Sequence, residues 1–235
     1  MIEVCGLDKA FGDTAALADV TASFPPATVT GLLGLNGAGK TTLLRLIAGL
    51  EKPDRGTVAV WGKAIGDHAE PMRVLGVHFD QSAMDPRHSA LRHLSWLAAL
   101  GDIAPRCIDE VLGRVGLAEH RGRRIAHLST GARQRLAIAS ALLAEPRVLI
   151  FDEPVNGLDV PGIVWLRELL RQLASEGCTV VVASHLLGEV ALTADRLLVL
   201  ERGRVAAEGN LDEIVPPGAD PRRYLETLLL GMVRT

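Results

Sequence analysis

Residues 34–41 of the chain read Gly34-Leu35-Asn36-Gly37-Ala38-Gly39-Lys40-Thr41. This stretch matches the pattern G-x-x-x-x-G-K-[ST], and it lies between the aliphatic run Val29–Leu33 and the helical pattern Thr41–Ala48. Glycines allow several backbone N–H groups to converge on one phosphate group, and the N-terminus of the following helix favours a negative charge. The stretch therefore predicts a nucleotide-binding loop between a strand and a helix.

The loop residues have separate expected roles. We expect the backbone of residues 34–39 to surround the phosphate groups, together with the neighbouring Thr42. Lys40 should reach the β- and γ-phosphate oxygens, and the hydroxyl group of Thr41 should be a ligand of Mg²⁺. Because the chain has 21 arginines and only four lysines, composition alone would favour arginine at position 40. A simple glycine-rich turn, the alternative interpretation, leaves this lysine unexplained.

Aliphatic runs alternate with helical patterns along the rest of the chain. The expected strands are Val148–Phe151, Thr179–Ala183 and Arg196–Leu200, and the expected helices are Gly162–Ala174 and Leu186–Leu192. This alternation is typical of a parallel sheet with crossover helices on both faces. The sequence therefore predicts an α/β fold.

Two regions depart from this alternation. The segments Ile2–Leu7 and Val20–Phe24, joined through Gly12-Asp13, predict with Thr57–Val60 an antiparallel β edge. Helical periodicity replaces aliphatic runs in Ser89–Leu100 and Ile108–Val115. We therefore expect one domain over 1–235, with its α/β core and β edge in 1–81 and about 125–210, a helical subdomain in about 82–124, and a short helical tail in 211–235.

Composition and charge restrict the classes of function. The net charge of −3 provides no basic field for nucleic acid, and we expect no direct nucleic-acid partner. Arg121, Arg123 and Arg124 are interpreted as a solvated connection. The three cysteines form no CxxC pair, so neither a disulfide framework nor a zinc site is expected, and a reducing cytosol fits best. Without an apolar stretch of about 18 residues, the chain is not expected to span a membrane.

Two adjacent carboxylates follow the expected strand Val148–Phe151. The carboxyl end of a parallel strand opens at the ligand-binding edge of the sheet, so Asp152 and Glu153 could meet a bound phosphate there. Asp152 would hold Mg²⁺, and Glu153 would act as the general base toward the attacking water. Alone, the pair could simply cap the next helix, but its occurrence in a chain that also has the nucleotide-binding loop with Lys40 favours the catalytic interpretation.

The order of further motifs resembles that of the ATP-binding cassette (ABC) ATPases. Leu128-Ser129-Thr130-Gly131-Ala132-Arg133-Gln134-Arg135 resembles the LSGGQ signature motif and the start of its helix. Gln81 lies at the Q-loop position, Val155-Asn156-Gly157-Leu158-Asp159 resembles the D-loop, and Ser184-His185 resembles the switch histidine. Phe11 lies where the family has an aromatic residue that stacks on adenine. Each motif alone has an ordinary structural interpretation, but all of them occur in the family's order, and the resemblance covers about residues 2 to 210.

The resemblance implies a RecA-like core that binds ATP and Mg²⁺. It implies that His185 contacts the γ-phosphate and the attacking water, that Gln81 is a further Mg²⁺ ligand, and that two chains form a head-to-tail dimer. Ser129 and Gly131 would then contact the nucleotide of the other protomer. The chain departs from the motif at Thr130 and Ala132, which replace Gly and Gln.

Within this family, the chain most resembles the ATPase subunits of bacterial drug and antibiotic exporters of the bacitracin type. The resemblance implies a separate transmembrane permease subunit and a peripheral position on the cytoplasmic face of the membrane. The alternative is a soluble ABC ATPase that serves as a scaffold for metal-cluster assembly or acts on nucleic acid or ribosomes. An ordinary kinase with the same phosphate-binding loop would leave the signature motif unexplained.

Overall fold

The computed structural model describes residues 1–79 and 84–233. The strands of this described part are β1 (Ile2–Phe11), β2 (Thr14–Phe24), β3 (Thr28–Leu33), β4 (Arg55–Val60), β5 (Leu75–His78), β6 (Val148–Asp152), β7 (Thr179–Ala183), β8 (Arg196–Glu201) and β9 (Arg204–Asn210). Its helices are α1 (Lys40–Ile47), α2 (Pro71–Val74), α3 (Ala90–Leu100), α4 (Arg106–Arg114), α5 (Thr130–Leu142), α6 (Val160–Ser175), α7 (Leu187–Thr193), α8 (Leu211–Ile214) and α9 (Pro221–Val233).

The larger sheet has the strand order β5-β6-β7-β3-β8-β9. Its first five strands are parallel, and β9 is antiparallel to β8 at one edge. The aliphatic side chains of β6 and β7 are buried, as expected for strands covered by helices on both faces. The predicted α/β fold is therefore confirmed, and the carboxyl ends of β3 and β6 lie along the same edge of the sheet.

The antiparallel segments predicted near the N-terminus form a sheet of their own. Its strand order is β2-β1-β4, with both pairs antiparallel. Alternate residues of β1, such as Ile2 and Val4, are buried, and they share a hydrophobic cluster with α1 residues such as Leu43. The apolar face of this sheet therefore covers one side of the larger sheet and does not extend its edge.

Two strands of the larger sheet were not predicted. Strand β5 is short and interrupted by Gly76, where a Cβ atom would collide with the carbonyl oxygen of Ala141 in α5. Strand β9 alternates between exposed and half-buried residues, but its inward positions include Ala and Gly in place of larger apolar residues. Neither segment therefore carries the β-branched pattern from which strands are predicted.

The two helices predicted between residues 82 and 124 are present as α3 and α4. Their apolar residues, such as Leu94 and Leu112, share a hydrophobic cluster with Leu136 of α5 and Phe151 of β6. The tail ends in α9, whose fully buried Leu225 packs in a separate cluster with Val190 of α7. The division of the chain into subdomains stays a prediction.

Candidate active site

The nucleotide-binding loop connects the end of β3 to the first turn of α1. Gly37 and Gly39 adopt positive φ angles of 81° and 100°, which glycine tolerates readily. At position 39 a Cβ atom would lie 2.6 Å from the carbonyl oxygen of Ala16 in β2. Gly39 is therefore required both by its backbone conformation and by the close approach of the small sheet.

The side chain of Lys40 is buried against the loop. Its Nζ atom donates hydrogen bonds to the carbonyl oxygens of Gly34 at 2.8 Å and Leu35 at 3.2 Å. Phosphate oxygens carry charge and accept stronger hydrogen bonds from an ammonium group than neutral carbonyl oxygens do. The loop therefore presents a cation that an anionic ligand can attract away from these two carbonyl groups.

A hydrogen bond joins the loop to the predicted acidic pair. The Oγ1 atom of Thr41 donates to Oδ2 of Asp152 at 2.7 Å, and Asp152 is the last residue of β6. Thr41 lies in the first turn of α1, directly after Lys40. The fold therefore places a hydroxyl oxygen and a carboxylate oxygen side by side at the carboxyl edge of the sheet.

These two oxygen atoms fit the chemistry of Mg²⁺. Magnesium is usually bound through one or two protein oxygens, while phosphate groups and water supply its other ligands. In residues 1–79 and 84–233, no group of three or more His, Cys, Asp or Glu side chains could hold a metal ion unaided. Thr41 and Asp152 therefore match a magnesium ion that arrives with a nucleotide better than one held in a protein cage.

Glu153 turns the backbone sharply after β6. Its φ angle is 50°, in the left-handed region, and its N–H donates to the carbonyl oxygen of Ala183 at 2.9 Å. The Oε2 atom of Glu153 lies 2.8 Å from Nδ1 of His185 and accepts a further bond from the backbone N–H of His185 at 3.3 Å. The turn therefore directs the carboxylate of Glu153 to the residue that follows β7 and Ser184.

An open cavity of about 360 Å³ collects most of these groups. The lining residues predicted from the sequence are Asn36, Gly37, Gly39, Lys40, Thr41, Thr42, Asp152 and Glu153. Ala16 and Phe79 also line the cavity and were not predicted. Ala16 enters because β2 lies against the loop, and Phe79 enters because it follows β5, so only the tertiary structure could have identified them.

Other residues of the predicted loop serve its shape or face elsewhere. At Gly34 a Cβ atom would lie 2.5 Å from the carbonyl oxygen of Leu200, so this glycine lets β8 approach the loop. Leu35 and Ala38 line an adjoining cavity of about 320 Å³, which also includes Arg202. Neither residue lines the first cavity.

Three further predictions are not tested by contacts in this cavity. Phe11 is 50% exposed at the end of β1, where the Nζ atom of Lys9 lies 5.1 Å from its ring centroid. The side chain of His185 reaches Glu153 but is not among the lining residues. Gln81 lies outside the described residues.

The predicted signature motif begins α5. The Oγ atom of Ser129 accepts a hydrogen bond from the N–H of Ala132 at 3.2 Å, so Ser129 caps the helix. Ser129 is exposed, and Gly131 is half buried with the carbonyl oxygen of Gly157 close to it. Neither Ser129 nor Gly131 is among the residues that line the cavity of their own chain.

A family model described as ABC transporter matches residues 17–156, which is more than half of the chain. The chain belongs to the ABC transporter family. The match includes the nucleotide-binding loop, the signature motif and the acidic pair, and it excludes an ordinary kinase. The predicted family is confirmed, and the chain is an ATP-binding ABC ATPase subunit.

Curated relatives include proteins named for drug and antibiotic transport. The daunorubicin resistance ATP-binding protein DrrA3 of Streptomyces coeruleorubidus is 36% identical over 91% of this chain and 69% of its own length. The bacitracin transport ATP-binding protein BcrA of Enterococcus faecalis is 33% identical over 91% of this chain and 70% of its own. The sulfate/thiosulfate import ATP-binding protein CysA of Nocardia farcinica is 38% identical over 91% of this chain and 66% of its own length. The predicted likeness to antibiotic exporter ATPases is confirmed, although an import protein is also similar.

Solved structures of ABC ATPases superpose on the chain. An ATP-binding subunit of an ABC transporter has a TM-score of 0.88 at 28% identity, covering 99% of both chains. The cassette MJ0796, in a dimeric post-hydrolysis state with ADP and Pi, has a TM-score of 0.80 at 26% identity, covering 89% of this chain and 98% of its own. In the described ranges, no helix has both the length and the apolar character that crossing a membrane requires.

Proposed function

We propose that the chain binds MgATP, closes with a second copy head to tail, and hydrolyses ATP to drive export through a separate membrane subunit. One observation carries the catalytic part of this proposal. The Thr41–Asp152 hydrogen bond and the Glu153–His185 contact lie at one edge of the sheet, beside the ammonium group of Lys40. Phosphate binding, metal binding and proton transfer are thereby assigned to adjacent side chains.

The nucleotide-binding loop holds the phosphate groups in this proposal. Backbone N–H groups of residues 34–39 surround them, and Lys40 exchanges its two carbonyl acceptors for phosphate oxygens. Thr41, Asp152 and Gln81 are the residues assigned to hold Mg²⁺, which would neutralise the negative charge of the phosphate oxygens. Phe11 is assigned to stack on the base.

Glu153 is the general base. Its carboxylate accepts the proton of the water that attacks the γ-phosphate, and His185 orients that water and contacts the phosphate oxygens. The contact between Oε2 of Glu153 and Nδ1 of His185 supports this pairing, because it keeps the two side chains within one hydrogen bond of each other. The bond between the γ-phosphorus and its bridging oxygen breaks, ADP leaves with that oxygen, and the γ-phosphoryl group becomes inorganic phosphate with the oxygen of the water.

The second protomer completes each site through Ser129 and Gly131. Two features support this assignment: the motif stands apart from the cavity of its own chain, and the similar cassette MJ0796 is dimeric. The N-terminus of α5 directs backbone N–H groups of its first turn toward a γ-phosphate, as helix N-termini do for anions generally. Bound nucleotide then holds the two protomers together, and hydrolysis releases them.

The partner in the membrane and the direction of transport are inferred from relatives. Proteins named for daunorubicin resistance and bacitracin transport support export, whereas the import protein CysA is the opposing example. A structure described as part of the complex cbiONQ, with a TM-score of 0.78 at 29% identity, supports assembly with other subunits. We place the chain at the cytoplasmic face of the membrane, bound peripherally through its permease.

Purification of the tagged chain from detergent-solubilised membranes tests this proposal. We expect a protein with several membrane-spanning helices to copurify, and we expect cells carrying Glu153→Gln to stop exporting its substrate while the complex still assembles. Glu168→Gln, at an exposed carboxylate of α6, is the matched control. A soluble assembly factor or ribosomal RNA as the main partner would contradict the proposal in favour of the scaffold or nucleic-acid alternative.

A further inference from the structure

Helix α7 follows the active site directly and is too short to be stable by itself. It begins at Leu187, two residues after His185, and contains only seven residues. Isolated helices of this length are unstable in water. Its buried residues are Val190 and Thr193, so neighbouring elements must determine where α7, and with it His185, is held.

Two arginines of α6 attach to the two turns of α7. The guanidinium group of Arg167 donates to Oε2 of Glu189 at 2.8 Å through Nη2 and at 3.3 Å through Nε. Arg171 donates through Nη2 to the carbonyl oxygen of Leu192 at 2.5 Å. About a quarter of each side chain of the Arg167–Glu189 pair is exposed, at 25% and 27%, so the pair is better shielded from solvent than an ordinary surface ion pair.

The packing beneath this ion pair is close at the sheet but incomplete between the two helices. Helix α7 rests on β3 at Gly31, where a Cβ atom would lie 2.5 Å from Cγ1 of Val190. A small apolar cavity of about 20 Å³ lies between the two helices, bordered by Pro154 and Ser184 from the loops after β6 and β7. A void of this kind removes part of the close packing that would otherwise fix α7, so the polar bonds from α6 hold more of its position.

We propose that Arg167 and Glu189 are positioning residues for hydrolysis. Their bond fixes α7 against α6 and thereby sets the distance between His185 and Glu153. Helix α6 starts directly after Asp159, so the same bond ties the position of His185 to the loop 155–159 that follows the catalytic pair. This inference rests on the roles proposed above for Glu153 and His185.

Steady-state hydrolysis and equilibrium binding of a fluorescent ATP analogue test it in the full-length chain. In Arg167→Met and Glu189→Gln we expect kcat to fall about tenfold, because a small displacement of a catalytic contact is costly, while the Kd for MgATP changes by less than about twofold. Arg167→Lys keeps the charge and should retain most of kcat. Amide hydrogen exchange in residues 187–193 should become faster in Arg167→Met.

The matched control is Arg114→Met. Arg114 forms an ion pair with Glu176 at the end of α6, 2.6 Å long and somewhat more exposed, at 31% and 44%. This pair ties α4 to α6 and does not touch α7. We expect its kcat to stay within about twofold of wild type, as for the loss of a partly exposed ion pair with no positioning role. Equal losses of kcat in Arg114→Met and Arg167→Met would overturn the proposal, since general destabilisation would explain both.

Unchanged kcat in Arg167→Met would also overturn it. Glu153→Gln, measured in the same assay, distinguishes a failure of this positioning role from a failure of the proposed function. If Glu153→Gln abolishes hydrolysis and Arg167→Met does not reduce it, the proposed function stands and the positioning role is wrong. If wild-type chain and Glu153→Gln hydrolyse ATP equally slowly, the proposed function itself fails.

Discussion

The Oγ1 atom of Thr41 donates a hydrogen bond to Oδ2 of Asp152, at 2.7 Å and across 111 positions of the sequence. The bond requires α1 to begin at the end of β3 and β6 to end at the same edge of the sheet. The Oγ1 atom of Thr41 keeps its lone pairs for a cation while its hydrogen bonds Asp152, so this bond orients the hydroxyl oxygen toward a shared cation. Metal binding and the geometry of the loop are therefore coupled at one point.

Lys40→Ala should weaken MgATP binding by roughly tenfold to a hundredfold and stop turnover, because it removes the charged donor beside the phosphate groups. Titration with a fluorescent ATP analogue measures the affinity. Lys63→Ala, at an exposed lysine away from the cavity, is the control and should bind normally. Equal affinities of Lys40→Ala and wild type would contradict the proposed site.

Glu153→Gln preserves the shape of the side chain but removes the carboxylate proposed as the base. Hydrolysis should fall by about 10²- to 10⁴-fold while ATP binding is kept. The dimer should then persist, so size-exclusion chromatography with light scattering in MgATP should show a dimer for this variant and mostly monomer for wild type. A variant that stays monomeric with ATP bound would show that nucleotide does not join the protomers.

Mixed dimers test whether each site is shared. Lys40→Ala and Gly131→Asp should each be inactive alone, since the second places a carboxylate against the partner's γ-phosphate. In a mixed dimer both changes fall in one composite site, and the other site is intact. Equal mixing makes about half of the dimers mixed, so hydrolysis should recover to at most about a quarter of the wild-type rate.

The control for this experiment is Gly113→Asp, at an exposed position of α4 where a Cβ atom would meet nothing within 4 Å. This variant should be active alone. If Gly131→Asp folds and binds ATP but its mixture with Lys40→Ala stays inactive, the head-to-tail arrangement is refuted. Ser129 and Gly131 would then be only the start of a helix.

Gly39→Ala should destabilise the fold more than Gly37→Ala. Both positions have positive φ, which costs an alanine about 1 kcal/mol. Only at position 39 would the new Cβ also collide with Ala16 and Leu17, whereas position 37 has nothing within 4 Å. We expect an additional loss of about 1 to 3 kcal/mol in the free energy of unfolding for Gly39→Ala, measured by urea denaturation. Equal losses would contradict the collision.

Acid should weaken the packing of α3 on α5 through His93. Burial, followed by the charge of His88, lowers the pKa of His93 below its ordinary value of 6.5. The folded state therefore disfavours the proton that the unfolded state accepts, so the contribution of His93 is complete above pH 6.5 and is lost as pH falls below it.

Urea unfolding of wild type and His93→Gln between pH 5 and pH 8 measures this effect. Because Gln does not titrate, the difference between the two free energies of unfolding isolates His93, whose Nε2 atom lies 3.1 Å from Oγ of Ser140. Wild type should lose stability relative to the variant as pH falls. A difference that is independent of pH would contradict the prediction.

The parts of the site that depend on local chemistry could be predicted from the sequence. The roles proposed for Gly37, Gly39 and Lys40 depend on backbone freedom and charge, and both properties follow directly from the residue type. The α/β alternation was equally readable, because the aliphatic strands β6 and β7 are buried on both faces.

The remaining parts depend on contacts between distant elements. Nothing in the residue type of Glu153 signals a left-handed backbone, yet that turn produces its bond with His185. Strand β5 was missed because it contains Gly76, which the close packing of α5 requires and which breaks the strand pattern. Phe79, which follows β5 and lines the cavity, was missed with it. The ion pair of Arg167 with Glu189 joins two helices whose pairing no local pattern predicts.

The left-handed backbone of Glu153 also brings the stability of the fold into conflict with the proposed activity. A non-glycine residue in this conformation costs the fold about 1 kcal/mol or more, and glycine would adopt it with little strain. Selection for thermal stability alone would therefore favour Gly at position 153 and eliminate the base. With Glu153 in its proposed role as the base, the chain keeps a strained backbone at this position because hydrolysis needs the carboxylate.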